Sequence, residues 1–143
     1  MKDCFEAAWG WLGWLATNKV ALLCVGGAAG TNARYWLGVW VKPLASGWQL
    51  PFLGTLLINV SGSLVLGIFT GLFDARLRPE HDALLLLLGV GFCGGYTTFS
   101  TFEYETFALV RDGSWWLALV NVVVSVAGGF AAVALAYGLS ARQ

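Results

Sequence analysis

The stretch GVGFCGGYTTFSTF, residues 89–102, lies inside an apolar run that begins near Ala83 and reaches Val110, yet it does not read as an ordinary helix. Gly89, Gly91, Gly94 and Gly95 fall within seven residues, and Thr97, Thr98, Ser100 and Thr101 follow within five positions. Each glycine in a helix interior costs about 1 kcal/mol relative to alanine, so the spacing predicts an interrupted helix. Its surroundings carry no charge: Asp, Glu, Lys and Arg are absent from residues 43–73, 83–102 and 113–141, stretches of 31, 20 and 29 residues. About 20 mainly apolar residues suffice to cross the hydrocarbon core as a helix. A break at that depth strands backbone N–H and C=O groups, which is tolerated only where protein or a polar cavity satisfies them. The bland alternative is a glycine-lubricated packing interface with no ion. The functional one is a midplane site, in which a discontinuous helix offers carbonyls to a cation or amides to an anion.

The rest of the chain agrees with a membrane setting. Of 143 residues, 58% are apolar and only 11% charged, against about 25% charged in a soluble domain. Eight basic and eight acidic residues leave a net charge of zero, so no nucleic-acid partner is implied. Cys4, Cys24 and Cys93 are odd in number and widely spaced, which argues against a disulfide framework or a thiolate metal site. The single His81 sits between Glu80 and Asp82 in a polar connector and reads as solvated. No nucleophile, base and orienting acid stand in a recognisable pattern, so the chain does not read as an enzyme.

The expected architecture is all-α, with four transmembrane helices at about 20–41, 51–73, 83–110 and 114–137, the third broken near the bilayer midplane. These spans form one domain over residues 19–143. A turn rich in Pro, Ser and Gly at 43–48 and the connector DARLRPEHD at 74–82 separate the first three. Residues 1–18, with Trp9, Trp11 and Trp14, are too short and glycine-broken to span. They suit the headgroup layer as an interfacial amphipathic segment. Lys2, Lys19, Arg76, Arg78 and Arg142 fall on one side against Lys42 and Arg111 on the other, plus Arg34 if it lies near that end. This is a modest bias toward both termini inside.

Polar groups within the spans point to function, because lipid makes them costly. Thr55, Asn59, Ser63, Gly67 and Gly71 recur every four residues and form one stripe of the second helix. Helix packing explains the two glycines. It explains Asn59 less well, since a carboxamide brings two donors and two acceptor sites. Asn121, Ser125 and Gly128 repeat the arrangement in the fourth helix. Phe99 and Phe102 share a face beyond the break and could turn their positive ring edges toward an anion. Glu103 and Glu105 return the chain toward water.

Three segments together resemble a family. GFCGGYTTFSTFEYE (91–105) is similar to the signature of the small four-helix fluoride channels, the Fluc or CrcB family. GGAAGTNARY (26–35) resembles its first-helix motif, and INVSGSLVLG (58–67) its second. The resemblance implies a fluoride-selective channel of the cell membrane that exports fluoride passively and so lowers its toxicity inside. It further implies an antiparallel, dual-topology homodimer in the lipid bilayer with a structural Na+ at its centre. The backbone carbonyls of Gly94 and Thr97 from both copies would hold the sodium. Asn59, Phe99, Phe102, Thr98, Ser100, Thr101, Ser125 and Asn121 would line the fluoride pathway. Arg34 would lie at the aqueous vestibule and Glu105 near the other end. A fluoride pathway must replace tightly held water with close donors that lack a fixed full charge, and the hydroxyls, the Asn59 amide and the ring edges supply such groups.

Two other classes fit the bare composition. A proton-coupled small multidrug-type exporter would place a carboxylate deep in the first span, where this chain has Arg34. A structural membrane protein would tolerate alanine at Asn59, Phe99 and Phe102.

Overall fold

The structure, a computed structural model, describes Gly13 and residues 18–73 and 82–141. The interfacial segment expected at 1–18 therefore lies almost wholly outside the described residues, as do residues 74–81 of the polar connector.

The described chain is all-helical. Helix α1 spans Lys19–Trp48, with the Asn18 side chain accepting from the Ala21 N–H at 3.0 Å to cap its start. Helix α2 spans Leu53–Leu72. The third stretch, α3, opens as Asp82–Leu84, widens into a π-helix over Leu85–Cys93 and closes as Gly94–Tyr96. Helix α4 follows at Phe99–Arg111 and α5 at Trp115–Ser140. Between the last two, Gly113 takes φ +79°, and the Ser114 N–H reaches the Leu109 carbonyl at 2.8 Å. This is the left-handed C-terminal cap for which glycine is best suited.

Helix α1 differs from expectation. Instead of turning at 43–48 it continues through Pro43 and ends where Gln49 adopts φ 54°. Proline removes one backbone donor and crowds the Val39 carbonyl four residues back, yet the helix runs on past it. The Ser46 hydroxyl adds a bond to the Lys42 carbonyl at 3.0 Å, so the Pro, Ser and Gly composition is absorbed into the helix. Arg34 thereby becomes a mid-helix residue instead of one near an end.

Three helical stretches, Leu53–Leu72, Asp82–Arg111 and Trp115–Ser140, are long and apolar enough to cross a membrane. Helix α1 is not among them: Lys19, Arg34 and Lys42 lower its apolar character. Large side chains on the spans stand exposed, among them Phe130 (74%) and Leu135 (66%). In water such a surface would be untenable; in hydrocarbon it is the solvent-compatible face. The chain is a multi-pass membrane protein.

Packing follows two pairs of helices. Helix α2 lies along α5, where a Cβ at Gly67 would meet the Val133 carbonyl oxygen at 2.6 Å and one at Gly71 the Tyr137 carbonyl oxygen at 2.9 Å. These two glycines of the α2 stripe serve close helix approach. Helix α1 crosses α3 even more tightly, backbone against backbone at Gly26, Gly30, Gly91 and Gly95. A small core of Phe52, Leu109 and Ala118 ties the ends of α2, α4 and α5 together.

Candidate functional site

Two residues separate α3 from α4. Thr97 (φ −79°, ψ 159°) and Thr98 (φ −149°, ψ 113°) are extended, with helix on either side. They lie 15 residues after Asp82 and 13 before Arg111, at the middle of the Asp82–Arg111 stretch. Thr97 keeps its N–H on the Cys93 carbonyl at 2.9 Å, but the Thr98 N–H has left the helical pattern, so another group must serve it.

Asn59 of α2 serves Thr98. Its Oδ1 accepts from the Thr98 N–H at 2.8 Å, and its Nδ2 donates to the Thr98 carbonyl at 3.1 Å. The carboxamide thus pairs with Thr98 as a neighbouring strand would, exchanging both bonds. One Nδ2 hydrogen remains for another acceptor. In a continuous helix the Thr98 N–H would go to the Gly94 carbonyl; its diversion to Asn59 releases that oxygen.

Arg34 serves Thr97. Its Nη1 donates to the Thr97 carbonyl at 3.2 Å, so the guanidinium reaches the interruption itself. The Thr31 hydroxyl lies 3.4 Å from the Gly95 carbonyl. Carbonyls at this end of α3 therefore face two donors of α1.

The hydroxyls cluster at the start of α4. Thr98 Oγ1 accepts from the Thr101 N–H at 3.3 Å as the helix cap, and lies 2.9 Å from Thr101 Oγ1 and 3.4 Å from Ser100 Oγ. Ser100 and Thr101 are both exposed on the protomer. Phe99 and Phe102 stand with ring centroids 5.8 Å apart and planes tilted by 41°. Phe102 is buried, whereas Phe99 is 73% exposed. A cavity of about 440 Å³ joins Asn59, Ser63, Gly94, Thr97, Thr98 and Phe99.

The fourth-helix residues meet the far side of α4. Ser125 Oγ donates to Asn121 Oδ1 at 3.1 Å, and Asn121 Nδ2 donates to Thr106 Oγ1 at 2.9 Å. The Thr106 hydroxyl in turn donates to the Phe102 carbonyl at 2.8 Å. Asn121 is only 1% exposed. Glu105 is separate from this chain: its Oε1 accepts from the Thr55 hydroxyl at 2.8 Å, on the α2 side.

Two members of these contacts escape a reading of the sequence. Thr106 looks like an unremarkable interfacial residue, although its place four after Phe102 puts it on the same helical face. Thr55 belongs to the α2 stripe, but its partner is 50 residues away. Thr106→Val is nearly isosteric and leaves buried Asn121 without its acceptor. A loss of about 1–3 kcal/mol follows, measurable as a lowered melting temperature in detergent; an unchanged one would show that Asn121 finds another partner.

The same segments carry the likeness to known proteins. A family model described as "CrcB-like protein, Camphor Resistance (CrcB)" matches residues 21–137. The chain is 47% identical over 115 residues to a fluoride-specific ion channel FluC of Solibacter usitatus, covering 80% of this chain and 92% of that one. It is 41% identical over 125 residues to the protein of that name in Pyrococcus furiosus, covering 87% and 98%. The corresponding protein of Chloroflexus aurantiacus is 39% identical over 123 residues, covering 85% and 94%. The matched span runs from the α1 glycines through the Thr97–Thr98 interruption to the end of α5, leaving out little more than the tryptophan-rich start, and the chain belongs to the CrcB family.

Proposed function

We propose that the protein is a passive, fluoride-selective channel of the cell membrane that lets fluoride leave the cell and so limits its toxicity. The observation that carries this reading is the identity of 39–47%, along nearly their whole lengths, to relatives named fluoride-specific ion channels. The chemistry of the site supports it. Fluoride is small and strongly hydrated, so its pathway must offer donors at every step without a trap. The free Nδ2 hydrogen of Asn59, the hydroxyls of Thr98, Ser100 and Thr101, and the ring edges of Phe99 and Phe102 are such donors. Ser125 and Asn121 continue the polar line on the other side of Phe102. The amino-terminal end of α4, with its partial positive charge, opens onto the same groups.

An antiparallel, dual-topology homodimer completes this reading. Ser100, Thr101 and Gly94 are exposed on the protomer near the middle of a membrane-spanning stretch. Lipid offers such groups no hydrogen bonds, so protein or an aqueous pathway must cover them. In this arrangement the interruption of the third helix sits at the bilayer midplane and a second copy lies against it.

A structural sodium fits the carbonyls at that place. The Gly94 oxygen has given up its helical donor to Asn59, and a Cβ added at Gly94 meets nothing within 4 Å. The Thr97 oxygen holds the Arg34 N–H but keeps a second lone pair. Backbone oxygens at the end of a half-helix suit a hard monovalent cation. Gly94 and Thr97 of both copies would hold it, and it would supply positive charge that satisfies these oxygens and joins the copies.

The test is fluoride efflux from proteoliposomes after an ionophore relieves the membrane potential. Efflux well above protein-free vesicles, with chloride left behind, is the expected result; no efflux, or equal loss of chloride, overturns the reading. Phe99→Ile keeps the bulk but removes the ring edge. It should lower the rate by at least about tenfold, the equivalent of one lost contact of about 1.4 kcal/mol.

A further inference from the structure

Where α1, α2 and α4 meet, a cavity of about 460 Å³ is lined by Lys42, Ser46, Gln49, Thr55 and Glu105, among others. Its chemistry is paradoxical for an anion pathway, because the acidic group is the one set deeper. Glu105 Oε1 takes the Thr55 hydroxyl, but Oε2 is buried and has no hydrogen-bond partner among the described residues. A carboxylate so placed repels anions from the mouth it lines. The other charges near this end do not offset it. Arg111 and Asp112 pair with each other at 2.8 Å and cancel. Lys42 is exposed, lines the same cavity, and has no ion-pair partner among the described residues.

We propose that Lys42 is a rate-determining residue for anion access: its ammonium offsets the Glu105 carboxylate and gathers fluoride in this cavity. This rests on the channel reading above. A cation lining a cleft with low-dielectric walls raises the local concentration of small anions. Because Lys42 is exposed, mobile salt screens its field, and the effect falls as the Debye length shrinks from about 10 Å at 0.1 M toward 3 Å at 1 M. Lys42 lies in the last two turns of α1, eight residues past the Arg34 that reaches the interruption, so it attracts fluoride without holding it at the narrowest point. An alternative role, anchoring α1 to lipid headgroups, predicts no such dependence on salt.

The experiment compares initial fluoride efflux for the full chain and its Lys42→Gln, Lys42→Glu and Lys42→Arg variants in zwitterionic vesicles, so that lipid charge adds nothing. At low ionic strength Lys42→Gln should be slower by about three- to tenfold and Lys42→Glu slower still, with Lys42→Arg unchanged. At about 1 M salt the differences should collapse. Equal rates at low salt, or a deficit that salt leaves intact, overturn the proposal. A second measurement does not depend on fluoride conduction. Ser46→Cys, with Cys4, Cys24 and Cys93 replaced by alanine, is labelled by negatively and positively charged methanethiosulfonates. Adding Lys42→Gln should cut the ratio of anionic to cationic labelling rates by about three- to tenfold; an unchanged ratio refutes the role of Lys42 whether or not the protein conducts.

Discussion

Asn59→Ala should abolish fluoride efflux while leaving most of the helical content in place. The substitution removes both partners of Thr98 at once, the acceptor at 2.8 Å from its N–H and the donor at 3.1 Å from its carbonyl. Each buried backbone group left unpaired costs about 1–3 kcal/mol, so the extended geometry at Thr98 loses about 2–6 kcal/mol of support. The inexpensive escape is for Thr98 to return to helix and recover the Gly94 carbonyl. That movement would swing Phe99 and the hydroxyls of α4 out of their present register and occupy the oxygen assigned to sodium. Flux should therefore fall by at least about thirtyfold, since about 2 kcal/mol already corresponds to that factor. Asn59→Asp separates the two roles of the side chain. It keeps an acceptor for the Thr98 N–H but turns the donor into a second oxygen facing the Thr98 carbonyl, and adds negative charge to an anion pathway. It should be as inactive as alanine. Full efflux from Asn59→Ala would mean that Thr98 holds its conformation without the carboxamide, and the splint role would be lost.

This double engagement also marks how far the sequence could be read. Four glycines followed by hydroxyls point to unusual backbone in the third stretch, because glycine and threonine preferences are local properties; Thr97 and Thr98 are extended there. Asn59 stood out because a carboxamide in an apolar helix needs partners, yet nothing in spacing says that its partner is the backbone of a residue 39 positions on. The path of α1 through Pro43 is hidden for a related reason. Pro43, Ser46 and Gly47 favour a turn when considered alone, but one missing N–H does not end a helix whose other bonds persist. The π-helical Leu85–Cys93 segment has no signature of its own, since a run of leucines and glycines is compatible with α, π or extended backbone until its neighbours are known. Thr106 carries no local signal, and Lys42 reads only as a flanking charge. Their significance comes from what α4 and α5 bring beside them.

Gly30→Ala, a change of one methyl group, should be among the most damaging single substitutions to the fold. A Cβ at this position would fall on the Phe92 carbonyl oxygen and lie 2.8 Å from the Tyr96 nitrogen and 3.0 Å from the Phe92 carbonyl carbon. All three are backbone atoms of α3, so no rotamer change can relieve the overlap. Gly26 meets the same helix one turn earlier, 2.9 Å from the Phe92 nitrogen, and Gly95 answers from α3 with 2.5 Å to the Gly27 carbonyl oxygen. The crossing is therefore made of glycine on both helices and has no slack. Alanine at 30 must push α1 away from α3, and overpacking of this kind costs about 1–3 kcal/mol when side chains can adjust and more when they cannot. The displacement would also carry Arg34, one turn further along α1, off the Thr97 carbonyl at 3.2 Å. Stability and the interruption thus fail together, so Gly30→Ala should both lower the melting temperature in detergent and lose efflux, and Gly30→Val should not yield a folded protein. Gly38→Ala is the control on the same helix: its Cβ would meet nothing within 4 Å. There alanine's better helix propensity, by about 1 kcal/mol, should leave stability equal or raised. Equal melting temperatures for the Gly30 and Gly38 variants would show that α1 and α3 are not in backbone contact.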